Sequence, residues 1–530
     1  MAAIESAAKD KADICIFPEL VLSSYPPLDL LDRDEFLTAN ENALKTLQEK
    51  LIQSILSPSF IILGSITANN QLTGKKLRNS ALVLSKEKNH EIEFQQSKRL
   101  LPTYDVFDES RYFEPAENSK IWNSPFGKIG IIICEDAWFE EKVKGRPLYT
   151  KDPADDFKGV DLIINIAASP FEWNKEDRRK NAIQKFILKT GAPLVYVNQV
   201  GANDEILFDG GSFICDSRGD AIAELAAFEE VVSVFDIDCK HMKKTNQILR
   251  TQTAIQLIHK ALVIGIRDYF RKTGFQKAVI GLSGGIDSAV VATLATEALG
   301  EKNILGVAMP SQYSSGHSIA DAESLAVALG IEFRVHSIKF IISTLLMEVK
   351  SGFQNLPLDV TEENMQARLR AVILLALANK RKALVLTTGN KSELAVGYCT
   401  TYGDMAGALA PLGDVYKTRV YELAHYLNGV NKRIPGNTIS KPPSAELRLD
   451  QKDEDSLGSY ESLDRMLLEQ IEGGLDESGL ISKGFEKEYV QKILKLIQTS
   501  EFKRRQAAPV LKISSKAFGL GRRMPIAKHF

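Results

Sequence analysis

The sequence predicts an α/β protein with two domains, an α/β sandwich followed by a doubly wound parallel sheet. Three observations predict it. The chain has 530 residues, too many for one compact core. Its first half carries short apolar runs that lack polar alternation, as strands covered on both faces do. Its second half repeats a pattern of apolar strand, tight loop and helix, which builds parallel sheets.

In the first half the strand candidates are 14–17, 60–66, 79–85, 128–134, 161–167, 193–199 and 211–216. Hairpin-like pairs and enough strands for two sheets favour a sandwich over one open sheet. The charged stretch "DIDCKHMKKTNQ" (236–247) precedes a long amphipathic helix at 253–274. The boundary falls there: domain one at 1–240, a linker at 241–255 and domain two at 256–530. In the second domain "AVIGLSGGIDSAVVATLATEAL" reads as strand, glycine turn and helix, and "NILGVAMPS" and "KALVLTTGN" repeat the strand-then-loop pattern. Residues 440–460 read as a long loop, and the last 30 residues are basic.

Composition excludes several classes. Lys plus Arg total 66 against 68 Asp plus Glu, so no bulk charge draws the chain to nucleic acid or membrane. No apolar run approaches the roughly 20 residues of a membrane helix. The first residues show no secretory pattern. Five scattered cysteines, without CxxC spacing, suit a reducing cytoplasm.

The loop "GLSGGIDS" (281–288) sits between a strand and a helix. Its glycines let backbone amides crowd together, and the helix N-terminus adds positive potential, so it is an anion site. It is neither GxxxxGK[ST] nor GxGxxG. SGGxDS resembles the signature of the ATP pyrophosphatases, which cleave ATP between the α and β phosphates. "MPSQYSSGHSIADA", "TEENMQARLRA", "LTTGNKSELAVGYCTTYGDMAGALAPLGDVYKT" and "KPPSAELRLDQKDEDSLGSY" resemble NAD synthetases, in order, over most of 250–525. That resemblance implies a Rossmann-like ATP pyrophosphatase domain. It implies ATP and diphosphate binding by Gly281, Ser283, Gly284, Gly285, Asp287, Ser288 and Thr388. It implies deamido-NAD binding by Asn364, Glu393, Asp404 and Lys503, and Mg2+ on Asp287 and Glu393. The acids of "DQKDED" would lie near the dinucleotide, although such a run is also an ordinary solvated surface.

"GKIGIIICEDAW" (127–138) ends an apolar run in a cysteine and two acids. Cys134 is either core filling or a nucleophile, and no histidine lies within about 40 residues of it. "CIFPELVLSSYPP", "SKRLLPTYDVFDESRYFEP" and "IIICEDAW" resemble, in order, the Glu, Lys and Cys signatures of the nitrilase (carbon–nitrogen hydrolase) family. "NIAASPFEWNKEDRR" and "YVNQVGANDEILFDGGSF" extend the likeness toward the glutaminase domain of glutamine-dependent NAD synthetases. The resemblance implies a nitrilase-like α-β-β-α sandwich in which Glu19 is the proton acceptor, Lys98 the oxyanion cation and Cys134 the nucleophile. Glu109 would be a supporting acid, and Tyr104, Ser169 and Arg179 would contact glutamine. A carboxylate can replace histidine as base when burial and a nearby cation tune it.

The family carries a first strand and turn before its first helix, so the N-terminal domain is expected to lack that strand. The activity implied is NAD formation from deamido-NAD, ATP and glutamine, with Mg2+ and ATP as the cofactor and co-substrate. An internal route for ammonia is expected between the two sites. The alternative is an ammonia-dependent synthetase with an impaired glutaminase domain. The expected partners are glutamine, ATP and deamido-NAD, with no nucleic acid and no membrane. A homo-oligomer is expected, at least a dimer through the synthetase domain.

Overall fold

The computed structural model describes residues 1–54, 56–143, 145–239, 252–353, 356–443, 446–448 and 453–527. The expected linker at 241–255, apart from 252–255, and the acids' flank Asp450–Lys452 lie outside the described residues. The chain divides into two compact units, the first running to Gln252 apart from 204–206, the second taking 204–206 and Thr253 onward.

The first unit has two sheets. One is ordered β1 (Ile14–Ile16), β2 (Phe60–Ala68), β3 (Leu77–Ser85) and β4 (Glu91–Ser97), with only β1 and β2 parallel. The other draws on β5 (Ile121–Ser124), β6 (Gly127–Ile133), β9 (Leu162–Ala167), β10 (Leu194–Asn198), β13 (Phe213–Cys215) and β14 (Ala221–Glu224). Its order is β14-β13-β10-β9-β6-β5. Two small ribbons, β7 (Lys142–Val143) with β8 (Arg146–Pro147) and β11 (Val200–Asn203) with β12 (Ile206–Asp209), complete the strands.

The two-residue period of a strand shows why these runs are apolar throughout. Phe60, Ile62, Ala81 and Val83 face the second sheet and share a core with Ile129, Ile131, Ile133 and Ile164. Ile61, Leu63, Leu82 and Leu84 point the other way and pack under Ile4 of α1 (Ala2–Lys9) and Leu51 of α2 (Asp34–Gln53). On the far side, Ile183, Phe186 and Ile187 of α3 (Glu176–Thr190) join the central core. The layers are therefore helix, sheet, sheet, helix, as expected. Each fully buried aliphatic side chain contributes about 1.5–3 kcal/mol.

β4, β5 and β14 were not among the strand expectations. β4 reads "EIEFQQS" and its first two residues are exposed, so its apolar signal is weak. β1 stands at the edge of its sheet. Gly64 of β2 is obligatory for close approach: a Cβ there would sit 2.2 Å from Leu20 N and 2.7 Å from Glu19 Cα. Glycine lets β2 pass directly beneath the residue expected to be the base.

The second unit has four parallel strands, β15 (Lys277–Gly281), β16 (Ile304–Ala308), β17 (Glu332–Val335) and β18 (Ala383–Leu386). Their order is β17-β16-β15-β18. Winding runs outward from β15 to β17 and then reverses to β18, so a crevice opens at the carboxyl ends of β15 and β18. As far as Val430 its helices, in chain order, are α4 (Ala254–Thr273), α5 (Ile286–Leu299), α6 (Gly316–Leu329), α7 (Lys339–Val349), α8 (Val360–Arg381), α9 (Lys391–Val396) and α10 (Lys417–Val430), and further helices follow. Within 440–460, expected to be a loop, the short helix Glu454–Leu457 forms. Among the described residues no helix is long and apolar enough to cross a membrane.

Candidate functional site

In the first unit, Glu19 follows β1, Lys98 follows β4 and Cys134 follows β6. All three are buried, at 0%, 1% and 6% exposure. Lys98 Nζ donates to Glu19 Oε1 and to Glu109 Oε1, both at 2.7 Å. Asn79 Nδ2 donates to Glu19 Oε1 at 2.7 Å, and Ala168 N donates to Glu19 Oε2 at 2.9 Å. The Tyr25 hydroxyl donates to Glu109 Oε1 at 2.7 Å. Two carboxylates thus share one buried ammonium, with every donor aimed at them.

The electrostatics follow from that arrangement. Burial opposes the Lys98 charge, but Glu109 and Glu19 outweigh it, so Lys98 is held well above its ordinary value. Burial, with Glu19 adding, pushes the Cys134 thiol well up against the pull of Lys98. That environment favours the thiol over the thiolate, and a buried thiol acts as a nucleophile only with a base beside it. Cys134 also adopts a left-handed φ of +44°, costly for a residue with a Cβ. Its N–H donates to Asn165 Oδ1 at 2.9 Å, which helps hold that turn.

Of the expected glutamine contacts, Tyr104 donates to Glu135 Oε1 and Oε2 at 3.1 and 3.0 Å. Ser169 is buried and its N–H donates to Asn198 Oδ1 at 2.8 Å. Arg179 is engaged differently: both terminal nitrogens donate to Asp209 at 3.0 Å. Its charge is neutralised inside the fold.

Glu135 also accepts from Tyr149 at 2.8 Å, and burial pushes its carboxyl up to about 7. A raised carboxyl favours the protonated fold. Its stabilisation is complete below the ordinary carboxyl value and is lost as pH rises through about 7. The shift corresponds to about 3 kcal/mol, and Asp136, raised to about 6 by burial, acts in the same direction. Thermal unfolding of Glu135→Gln is expected to depend less on pH between 5 and 8 than the wild type. An unchanged pH slope would refute this.

In the second unit the loop after β15 closes tightly. Gly284 has φ +75°, and a Cβ there would meet Ser318 O at 2.3 Å. Ser283 Oγ accepts from Gly285 N at 3.2 Å, and Ser288 Oγ donates to Gly285 O at 3.0 Å. Asp287, in the first turn of α5, takes Lys417 Nζ at 2.5 Å and Asn390 Nδ2 at 3.0 Å. Lys417 also reaches Glu393 at 3.6 Å. Asn390 Oδ1 accepts Glu393 N at 3.0 Å, and Glu393 Oε2 accepts Asn390 N at 3.3 Å. This reciprocal capping box starts α9 and aims it at Asp287. Burial pushes Glu393 up to about 8, with Asp287 and Asp453 adding and Lys417 opposing.

A cavity of about 410 Å³ is lined by Gly281, Ser283, Gly285, Asp287, Ser288, Asn364, Thr388, Glu393, Asp404 and Lys503. Every expected synthetase-site residue except Gly284 lines it, and Gly284 shapes the loop from behind. Thr400 Oγ1 donates to Asn364 Oδ1 at 2.7 Å, and Thr400 N donates to Asp404 Oδ1 at 2.7 Å. Lys503 Nζ donates to the carbonyls of Gly397 and Cys399 at 2.7 and 2.8 Å. Of the "DQKDED" acids, Asp453 lines the cavity.

Sequence reasoning missed Lys417, Asn390, Asn79, Tyr25 and Asn165. Only Asn390 had a readable signal, the N-x-x-E spacing of a capping box ahead of a helix. Lys417 pairs with an acid 130 positions away, and no local pattern announces that.

Residues 1–247 match the family described as Carbon-nitrogen hydrolase, and 258–507 match NAD synthase. A glutamine-dependent NAD(+) synthetase from Synechocystis sp. is 45% identical, covering 100% of this chain and 95% of that protein. One from Acinetobacter baylyi is 40% identical, covering 98% and 93%. The solved glutamine-dependent NAD+ synthetase from Acinetobacter baumannii, in complex with adenosine diphosphate, is 36% identical with a TM-score of 0.75. It covers 99% of this chain and 94% of its own. The enzyme from Cytophaga hutchinsonii, at 22% identity and a TM-score of 0.79, shares the fold. With relatives this similar over nearly their whole length, the chain belongs to the glutamine-dependent NAD(+) synthetases.

Proposed function

We propose that this ligase converts deamido-NAD, ATP, glutamine and water into NAD, AMP, diphosphate and glutamate. The observation that carries the reading is the full-length likeness to relatives of that name. In this reading residues 1–240 are the glutaminase domain and 256–530 the synthetase domain.

Glu19 takes the Cys134 proton while Sγ bonds to the side-chain amide carbon of glutamine. The Lys98 ammonium stabilises the oxyanion that forms. The carbon–nitrogen bond then breaks, and the proton on Glu19 leaves with ammonia. Water, deprotonated by Glu19, cleaves the glutamyl thioester to glutamate, and the departing Cys134 sulfur takes that proton back from Glu19. Glu109 keeps Lys98 charged and oriented. Tyr104, Ser169 and Arg179 form or support the glutamine pocket.

In the second unit, the nicotinate carboxylate of deamido-NAD attacks the α-phosphorus of ATP, and diphosphate leaves. Ser283, Gly284, Gly285 and Ser288 cradle that diphosphate with N–H and O–H groups. Gly281 and Thr388 flank the nucleotide, and Asn364, Asp404 and Lys503 hold the dinucleotide. Ammonia then displaces AMP from the acyl adenylate and forms the amide. An enclosed route for ammonia is part of the proposal, because free ammonia near neutral pH is mostly ammonium and would be lost.

Asp287 and Glu393 suit Mg2+. They are hard oxygen donors lining one cavity beside the phosphate cradle, with Asp453 on the same wall. Among the described residues no cluster of three or more His, Cys, Asp or Glu forms a metal site, and Mg2+ commonly takes only one or two carboxylates plus substrate phosphates. When bound, the ion would neutralise charge on the diphosphate.

The free cysteines support a reducing cytoplasmic setting. A homo-oligomer, at least a dimer through the second unit, is part of the proposal. The substrate is tested by diphosphate release with deamido-NAD, xanthosine monophosphate or aspartate as acceptor. Only deamido-NAD is expected to support it; equal release with another acceptor would overturn the reading.

A further inference from the structure

Lys98 follows a strand of the four-stranded sheet and Cys134 follows a strand of the six-stranded sheet. Within a sheet the hydrogen-bonded ladder fixes neighbours. Between sheets no ladder exists, and side-chain packing alone leaves room to slide. Catalysis at Cys134 needs the two strand ends held together more closely than packing requires, since a misplacement of about 1 Å can cost about 100-fold in rate.

Asp136 spans that gap. It is 2% exposed. Its Oδ1 accepts the N–H of Arg99 at 2.9 Å and of Leu100 at 2.8 Å. Its Oδ2 accepts the N–H of Ile133 at 3.0 Å. The first two donors directly follow Lys98, and the third directly precedes Cys134. Lys98's own backbone is tied as well, its N–H to Asn79 O at 2.8 Å and its carbonyl to Ala116 N at 2.9 Å. One carboxylate therefore takes three main-chain N–H groups from the two segments that carry the cation and the thiol. The same bond at Ile133 anchors the start of the turn in which Cys134 takes its φ of +44°.

We propose that Asp136 is a positioning residue for the glutaminase reaction, fixing the Lys98 ammonium against the Cys134 thiol across the two sheets. This rests on the reading of Cys134 as nucleophile and Lys98 as its cation. Asp136 itself touches no substrate in this scheme. Losing its carboxylate leaves three buried N–H groups without an acceptor, and each such orphan is costly.

The test compares wild type, Asp136→Asn, Asp136→Ala and Cys134→Ala. Three quantities are read: kcat and KM for glutamine, the ammonium-dependent rate of NAD formation, and the pH profile of iodoacetamide alkylation followed on the Cys134 peptide. In Asp136→Asn, which keeps the shape but offers one oxygen, kcat for glutamine is expected to fall about 100-fold with KM little changed. The ammonium-dependent rate is expected to stay at the wild-type level. The alkylation midpoint is expected to move to higher pH, because a displaced ammonium stabilises the thiolate less. Asp136→Ala is expected to lose more; should it not fold, Asp136→Asn decides. Near-wild-type kcat in Asp136→Asn, an unmoved alkylation profile, or joint loss of both nitrogen sources would each overturn the proposal. Cys134→Ala separates the two readings: glutamine turnover surviving there would refute the nucleophile itself, whatever Asp136 does.

Discussion

Lys98→Met is expected to abolish glutamine-dependent NAD formation, by at least about 1000-fold, while leaving the ammonium-dependent reaction near the wild-type rate. Two losses combine. The oxyanion loses its cation, and one such stabiliser is typically worth about 100- to 1000-fold. The thiol also loses the charge that pulls against its upward shift. The structural cost is separate. Lys98 is the shared partner of Glu19 and Glu109, each at 2.7 Å and all buried. Removing one member of a buried ion pair costs about 3–5 kcal/mol, because the remaining charge stays buried without its partner. Burial and Glu19 already push Glu109 up, so the variant is expected to take up a proton there. Glutamate release and thermal unfolding read the two effects independently. A variant that hydrolyses glutamine within tenfold of wild type would refute the role given to Lys98.

Lys417→Met is expected to eliminate synthesis from both nitrogen sources. Lys417 is 2% exposed and reaches Asp287 at 2.5 Å and Glu393 at 3.6 Å. Its loss leaves these acids, with Asp453 nearby, mutually repelling in a partly buried crevice. Glu393, already raised to about 8 with Lys417 present, is expected to rise further. A destabilisation of about 3–5 kcal/mol follows from the buried pair alone. Diphosphate release with ammonium as nitrogen source measures the chemical loss, and glutamate release should persist. Retained diphosphate release would show that the charge balance around Asp287 does not depend on Lys417.

The two sites differ in how far they could be read from sequence. The strands beneath them were legible because both faces are covered: Ile131 and Ile132 of β6 are both buried, on opposite faces. The loop after β15 was legible because glycine is forced where Gly284 meets Ser318 O. Glu19, Lys98 and Cys134 stood out as an ordered set, each just past a strand. Their supporting partners did not. Asn79 and Tyr25 are ordinary residues until folding brings them across 60 and 84 positions to Glu19 and Glu109. Lys417 lay inside a quoted stretch yet carried no pattern of its own. Arg179, expected at the glutamine pocket, has its terminal nitrogens committed to Asp209, a pairing that local sequence cannot reveal. Half-exposed strands such as β4 were missed for a related reason, since polar residues on the wet part of a strand erase the apolar signal.

Cys134 is proposed to feed ammonia to a synthetase site that can also accept it from solution. Measuring NAD formation by Cys134→Ala with glutamine and with ammonium tests that claim most directly. The expected result is complete loss with glutamine and an ammonium-dependent rate equal to the wild type. NAD formation from glutamine by that variant, or equal loss with both nitrogen sources, would contradict it.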